Sequence, residues 1–427
     1  MEGRVLGAVR MAARTAGALL SVIVLAVSGY AWNLSRHVDD GMATSEAVTP
    51  APDGPTASDA AFTVLLVGLD SRTDASGRPL PPEVLDQLHA GPDEGQLHTD
   101  TIILLHVPAG PDPHAVAISF PRDSFVEIAG DRGRHKINSA YRRGMAESEK
   151  ALVGRALLPA ERDRRAREAG RRALVDTLHD LTGVRVDHFA EVNLAGFVEI
   201  SDALGGVPVC LNRPAREERS GIDLPAGPQV VQGPTALAFV RQRHGLDGGD
   251  LDRISRQQAF LAGLADAVLT SGLLHDPVRL NRVTQALGRY VVLDRGWNTQ
   301  ELLGQLHRVA AGDLRFETIP TGTAALDTPV DGVAVQVDPD EVRRFVQQRI
   351  PVTPSASHPG TTRTLPRPTP AAGSSPASAT PADTGDNTDG TDTTDRRARP
   401  AGSTPTATST ERTAAPPITT GGVPCVD

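Results

Sequence analysis

The stretch Arg241-Gln242-Arg243, followed by Asp250, Arg253 and Arg256-Gln257-Gln258, gathers four guanidiniums and a carboxylate in a short span. Planar guanidiniums converging on one point suit a dense, multi-oxygen anion such as a pyrophosphate. Like charges gathered this way repel one another unless a polyanion lies among them. The same residue types recur beside other apolar runs: Asp70-Ser71-Arg72, His98-Thr99-Asp100, Arg122-Asp123, and Lys136 just ahead of Asn138. Asp70 and Asp100 are carboxylates that two strands can bring to one hard cation such as Mg²⁺. Arg72, Arg122, Arg241 and Arg243 then suit the phosphate oxygens around it.

Each group alone has a plainer reading. Asp70-Ser71 starts a turn, and Arg122-Asp123 forms a surface pair of little energetic weight. Lys136 to Asn138 begins a helix with Asn138 as its cap, and Arg253 with Arg256 belong to a solvated helix face. His98, His106 and His114 show no metal-ligand spacing. Recurrence at four apolar-run ends is what favours a site over four unrelated turns.

Such a set needs strands whose ends meet. Phe62–Val67, Thr101–Val107 and Ala115–Phe120 are short continuous apolar runs, as buried strands are, and Pro108-Ala109-Gly110-Pro111 marks a hairpin-like connection. Ala236–Val240 reads as another strand, so that Arg241 and Arg243, two apart, emerge on one side. Helical patterns cover 138–158, 160–181, 193–205, 254–270, 297–312 and 338–350, with a strand at Phe316–Ile319. Strands at sheet ends collect sites, and the mixture indicates an α/β domain, a central mixed β-sheet covered by helices, over 61–350.

The remainder of the chain sets the compartment. Residues 15–35 carry no charge and match the ~20 residues of a bilayer-spanning helix. Arg4, Arg10 and Arg14 precede them, while Tyr30 and Trp32 stand at the far end. Positive-inside logic expects 1–14 in the cytoplasm and the domain outside the membrane; a cleaved signal peptide is the rival reading. Residues 36–60 read as a flexible linker, and 351–427 as a disordered Pro/Thr/Ser-rich tail. The net charge of -9 excludes general nucleic-acid binding. Two cysteines, Cys210 and Cys425, fit an exported protein with one disulfide that pins the tail to the domain; two free thiols are the alternative.

The ordered segments Val67–Arg72, Thr99–Ile102, Ser119–Asp123, His135–Tyr141, Val186–Phe189, Asp202–Val207, Gly233–Leu237, Val240–Arg243, Asp250 and Arg253–Gln258 resemble the LytR-CpsA-Psr family of membrane-anchored cell-wall glycopolymer transferases. The resemblance is strong over 62–270 and fades towards 350. It implies an enzyme that takes a glycopolymer from a polyprenyl-pyrophosphate carrier and joins it through a phosphodiester to peptidoglycan. The acceptor implied is a muramic acid 6-hydroxyl. Asp70 and Asp100 would hold Mg²⁺, Arg72, Arg122, Arg241 and Arg243 would bind the pyrophosphate, and Lys136, Arg253, Arg256 and Gln257 would support them. Asp100 and Asp123 both remain open as general base. Teichoic acid, arabinogalactan and capsular polysaccharide all remain open as the polymer. A lipid-binding scaffold and an exported pyrophosphatase are the competing functions. Three departures stand out: His98 where the family commonly has arginine, Arg142-Arg143-Gly144 after Tyr141, and a charged helical insertion at 145–170.

Overall fold

The computed structural model describes residues 43–48, 60–91, 97–110, 114–270, 276–297, 305, 309, 313–351, 418–419 and 423–427. The segment 15–35 expected to span a membrane lies outside them, as do most of 36–60, of 297–312 and of the tail. Among the described residues no helix is long and apolar enough to cross a membrane.

The central sheet has eight strands: β1 (Ala43–Ser45), β2 (Phe62–Asp70), β3 (His98–Val107), β4 (His114–Ser119), β5 (His188–Asn193), β6 (Val291–Asp294), β7 (Asp313–Thr318) and β8 (Ile418–Thr419). Their spatial order is β1-β6-β5-β2-β3-β4-β7-β8. β3 runs antiparallel to both β2 and β4, whereas β5 pairs parallel with β2 and β7 parallel with β4. The carboxyl ends of β2, β4, β5 and β7 therefore share one sheet edge with the amino end of β3. That arrangement is why residues distant in sequence meet. Leu65, Ile102, Leu104 and Ile118 are buried in the central strands, as continuous apolar runs require.

Helices cover the sheet: α1 (Pro82–Gln87), α2 (Ala140–Ala151), α3 (Pro159–Thr182), α4 (Leu194–Ala203), α5 (Gly233–Arg241), α6 (Asp250–Thr270), α7 (Pro277–Tyr290) and α8 (Pro339–Gln347). The charged stretch 160–181 is helical as its pattern indicates, but not solvated all round. Gly170 faces the Tyr141 carbonyl, where an added Cβ would lie 2.7 Å away, so α3 packs closely on α2. Arg171 is buried and pairs with Glu191 of β5 through two 3.0 Å hydrogen bonds.

Three expectations change. Ala236–Val240 is the core of helix α5, not a strand. Proline at the first turn of α5 and Ala-Leu-Ala favour the helix. Burial of all five residues removed any periodicity that could have told helix from strand. Ala43–Ser45, within the expected linker, adds a parallel edge strand beside β6, and Ala47 and Val48 join the core. Ile418–Thr419 and Cys425–Val426, within the expected disordered tail, pair with β7 and with strand Val207–Leu211. Such two- and three-residue pieces carry no periodic signal. Cys210 and Cys425 are joined in a disulfide, with Cα atoms 4.3 Å apart.

Candidate functional site

The site lies along the sheet edge where β2 ends and β3 begins. Asp70 is the last residue of β2. The register runs Gly68 opposite Thr101 and then Leu69 opposite Thr99, so Asp100 is the extra residue of a β-bulge. A bulge bends its strand and re-aims the unpaired side chain. Gly68 permits the close approach, because a Cβ there would lie 2.9 Å from Thr101 Cβ.

Arg122, one turn beyond β4, links the carboxylates. Its Nη1 donates to Asp100 Oδ1 at 2.8 Å, and its Nε lies 3.5 Å from Asp250 Oδ1 and 3.6 Å from Asp123 Oδ2. Lys136 Nζ sits 3.3 Å from Asp123 Oδ1. Arg253, one turn into α6, brings Nη2 to 2.7 Å from Asp250 Oδ1. On the other flank Arg72 Nη1 lies 3.0 Å from Asp70 Oδ1. Carbonyls at the end of α1 hold two guanidiniums in place: Ala90 accepts from Arg72 Nη2 at 2.7 Å, and Leu88 accepts from Arg241 Nη1 at 3.0 Å. Below the cluster, Gln258 Nε2 donates to Ser119 Oγ and Thr318 Oγ1, tying α6 to the ends of β4 and β7.

The electrostatics are strongly coupled. Burial raises the Asp70 pKa and Asp100 raises it further, against Arg72 and Arg241. Burial likewise raises Asp250, although Arg253 and Arg122 pull it down. For Arg122, burial acts to lower the pKa, but Asp100, Asp123 and Asp250 outweigh it and the net direction is up. Burial lowers Arg253, which Asp250 only partly offsets. Several polar atoms here are buried without a hydrogen-bond partner: Asp70 Oδ1, Arg72 Nε, Arg122 Nε, both Asp250 oxygens, and Arg253 Nε and Nη2. The Asp70–Arg72 and Asp250–Arg253 pairs are nonetheless ion-paired, at 3.0 and 2.7 Å. Unmet donors and acceptors of both signs at one place indicate groups arranged for a ligand.

The structure thus gathers Asp70, Arg72, Asp100, Arg122, Asp123, Lys136, Arg241 and Arg253. Among the described residues no hydrogen bond or ion pair ties Arg243 to them. Arg241 ends a helix and Gln242 is extended, so Arg241 and Arg243 do not share a strand face, and Arg243 is exposed. Arg256 also turns elsewhere: its Nη1 donates to Gln242 Oε1 and its Nε to the Asp427 carbonyl, and its guanidinium lies 5.4 Å from the Phe239 ring centroid. Gln257 Nε2 reaches the Val240 carbonyl at 3.4 Å. Asp250, prominent in the sequence but given no separate role there, is the carboxylate that joins Arg122 to Arg253. Its i, i+3 spacing to Arg253 at a helix start was the available signal.

A family model described as the LytR_cpsA_psr family matches residues 27–348. The chain belongs to the LytR_cpsA_psr family. Among LytR_cpsA_psr relatives, a Corynebacterium glutamicum "cell wall biosynthesis protein LcpA" is 41% identical over 347 residues, 79% of this chain and 65% of that protein. A "probable cell wall biosynthesis protein LcpB" of the same organism is 32% identical, over 74% of this chain and 65% of its own length. The match therefore spans slightly less than two thirds of either Corynebacterium protein. An Enterococcus faecalis "polyisoprenyl-teichoic acid--peptidoglycan teichoic acid transferase TagU" is 24% identical over 77% of this chain and 93% of its own.

Proposed function

We propose that this chain is a cell-wall glycopolymer ligase, moving a glycopolymer from a polyprenyl-pyrophosphate carrier to peptidoglycan on the outer side of the membrane. The observation that carries this reading is the mixed cluster of arginines and carboxylates at one sheet edge, with buried polar atoms of both signs left without hydrogen bonds. Its residues lie within 27–348, the span the family model matches, and the TagU relative's name describes a transfer of that class.

In this reading an acceptor hydroxyl oxygen bonds to the glycan-side phosphorus, the P–O bond to the carrier phosphate breaks, and polyprenyl phosphate leaves. The glycan thereby becomes a phosphodiester of the acceptor. Arg72, Arg122 and Arg241 bind and orient the pyrophosphate oxygens, with Lys136 and Arg253 behind them; phosphoryl transfer relies mainly on such positioning and charge neutralisation. Asp123, flanked by Lys136 and Arg122, and Asp100, held by Arg122, are the two carboxylates suited to take the acceptor proton.

The donor set fits Mg²⁺. Asp70 Oδ1 is buried and faces Arg72 Nη1 at 3.0 Å, Asp100 lies within its electrostatic field, and Arg122 engages Asp100 through Oδ1. Among the described residues no three His, Cys, Asp or Glu side chains converge on a metal position. Two carboxylates with remaining positions left to water and phosphate are how Mg²⁺ is commonly held. Bound there, Mg²⁺ would supply charge neutralisation at the pyrophosphate.

Full-length chain incubated with a short polyprenyl-pyrophosphate glycan, Mg²⁺ and peptidoglycan oligomers, beside Asp70→Ala, tests the proposal. Metal-dependent covalent glycan on peptidoglycan, lost in the variant, is expected. Phosphate release without transfer would make the chain a pyrophosphatase. Lipid binding without chemistry would make it a scaffold.

A further inference from the structure

The loop 242–249 joins two residues of the site, Arg241 and Asp250; Arg219 and Asp252 hold it at His244 and Gly248, and two further arginines that hold it, Arg256 and Arg213, also reach Asp427. Arg256 bridges the loop and residues 423–427: Nη1 donates to Gln242 Oε1 at 2.5 Å and Nε donates to the Asp427 carbonyl at 2.6 Å. Gln242 in turn donates through Nε2 to the His244 carbonyl at 3.0 Å. Arg213 makes a second bridge on the exposed side, with Nη2 3.1 Å from Asp247 Oδ2 and Nε 3.2 Å from Asp427 Oδ1. Three anchors seat 423–427 there. Cys425 is bonded to Cys210, Cys425 and Val426 pair parallel with Cys210 and Leu211, and Val426 is buried in a cluster with Phe239 and Val240 of α5. Asn212 N also donates to the Val426 carbonyl at 2.9 Å.

We infer that residues 423–427 form a clamp that fixes the 242–249 loop, and that Arg256 is a positioning residue of this clamp and not a ligand of the pyrophosphate. Arg256 is 2% exposed, and its three guanidinium contacts are to Gln242 of the loop, Asp427 of the clamp and the Phe239 ring of α5. Burial lowers its pKa to about 10, with Asp252 and Asp427 opposing. Arg253, one turn away by sequence, responds to Asp250, Arg122, Asp100 and Asp123. The two arginines of the motif therefore serve different ends: Arg253 faces the site, and Arg256 secures the loop that carries Arg241 to Asp250. The clamp's effect on ligand affinity rests on the proposed pyrophosphate site; its effect on the loop does not.

A double-mutant cycle on the full chain in detergent tests this, using Arg256→Gln, a chain ended after Gly422, and both together. A Cys210→Ser, Cys425→Ser chain serves as control for loss of the disulfide alone. Amide exchange over 242–249 and binding of geranylgeranyl pyrophosphate are read for each. Each single change is expected to speed exchange across 242–249 and weaken binding roughly tenfold, with the combination no worse than either alone. Arg72→Ala is expected to lose binding without changing that exchange. Additive losses would show that Arg256 and 423–427 act independently and overturn the Arg256 assignment. Unchanged exchange over 242–249 in the shortened chain would overturn the clamp itself. Should the unaltered chain not bind the pyrophosphate, the functional reading falls and the clamp is judged by exchange alone.

Discussion

Asp70 and Asp250 sit where burial disfavours their charge, and their neighbouring arginines do not fully compensate. A carboxyl whose folded pKa is raised gives the folded state more bound protons than the unfolded one. Its contribution is complete below the unfolded pKa and is lost as pH rises through the folded one. Ionised Asp70 therefore destabilises the ligand-free chain at neutral pH. Asp70→Asn is expected to raise the thermal midpoint without metal while lowering kcat for transfer by about 100-fold or more. Thermal unfolding and transfer assays on the same preparation check both halves, and a lowered midpoint would show that the carboxylate is not held against a cost. At this scale much was legible, because Asp70, Arg72, Asp100, Arg122 and Lys136 are residue types whose chemistry is evident at apolar-run ends. Arg256 was not legible: its partner Asp427 lies 171 residues away, and no local pattern announces such a contact.

Elements place those residues, and here sequence patterns were informative for strands and poor for α5. β2, β3 and β4 follow from their apolar runs. α5 was lost because a fully buried helix and a buried strand look alike in a five-residue window. The bulge at Asp100 was also invisible, although it is what puts Leu69 opposite Thr99. Gly68→Ala puts a Cβ 2.9 Å from Thr101 Cβ. It is expected to cost roughly 1–3 kcal/mol and to depress activity further than that loss explains, by shifting Asp100. Denaturant titration and transfer rates together measure this. The same strand pair holds a pH-sensitive contact. His106 lies 3.0 Å from Thr63 Oγ1, and burial lowers its pKa to about 4. A lowered histidine pKa keeps the folded ring neutral while the unfolded one takes a proton, so stability is lost as pH falls from about 6.5 towards 4. The loss is at most ~3.5 kcal/mol at ~1.4 kcal/mol per pH unit. His106→Gln is expected to flatten that part of the stability profile relative to the parent chain, as urea unfolding at several pH values would record.

Across the whole molecule, chain order was readable: a folded body between low-complexity segments, with two cysteines to connect body and tail. What could not be read was how closely the far end of the chain returns, pairing with both β7 and Val207–Leu211. The bond between Cys210 and Cys425 spans 215 residues, so it removes much freedom from the unfolded chain. The Cys210→Ser, Cys425→Ser chain is expected to be less stable by ~2–4 kcal/mol. Reductant should lower the parent's thermal midpoint and leave that variant's unchanged. The central claim is transfer of a phosphorylated glycan, and the fate of one phosphorus atom tests it most directly. A polyprenyl-pyrophosphate glycan labelled with ³²P at the glycan-side phosphate would be incubated with the full chain, Mg²⁺ and peptidoglycan. The account predicts label fixed covalently to peptidoglycan, with polyprenyl phosphate released unlabelled. Label that stays on the lipid, or is freed as soluble phosphoglycan, would contradict it.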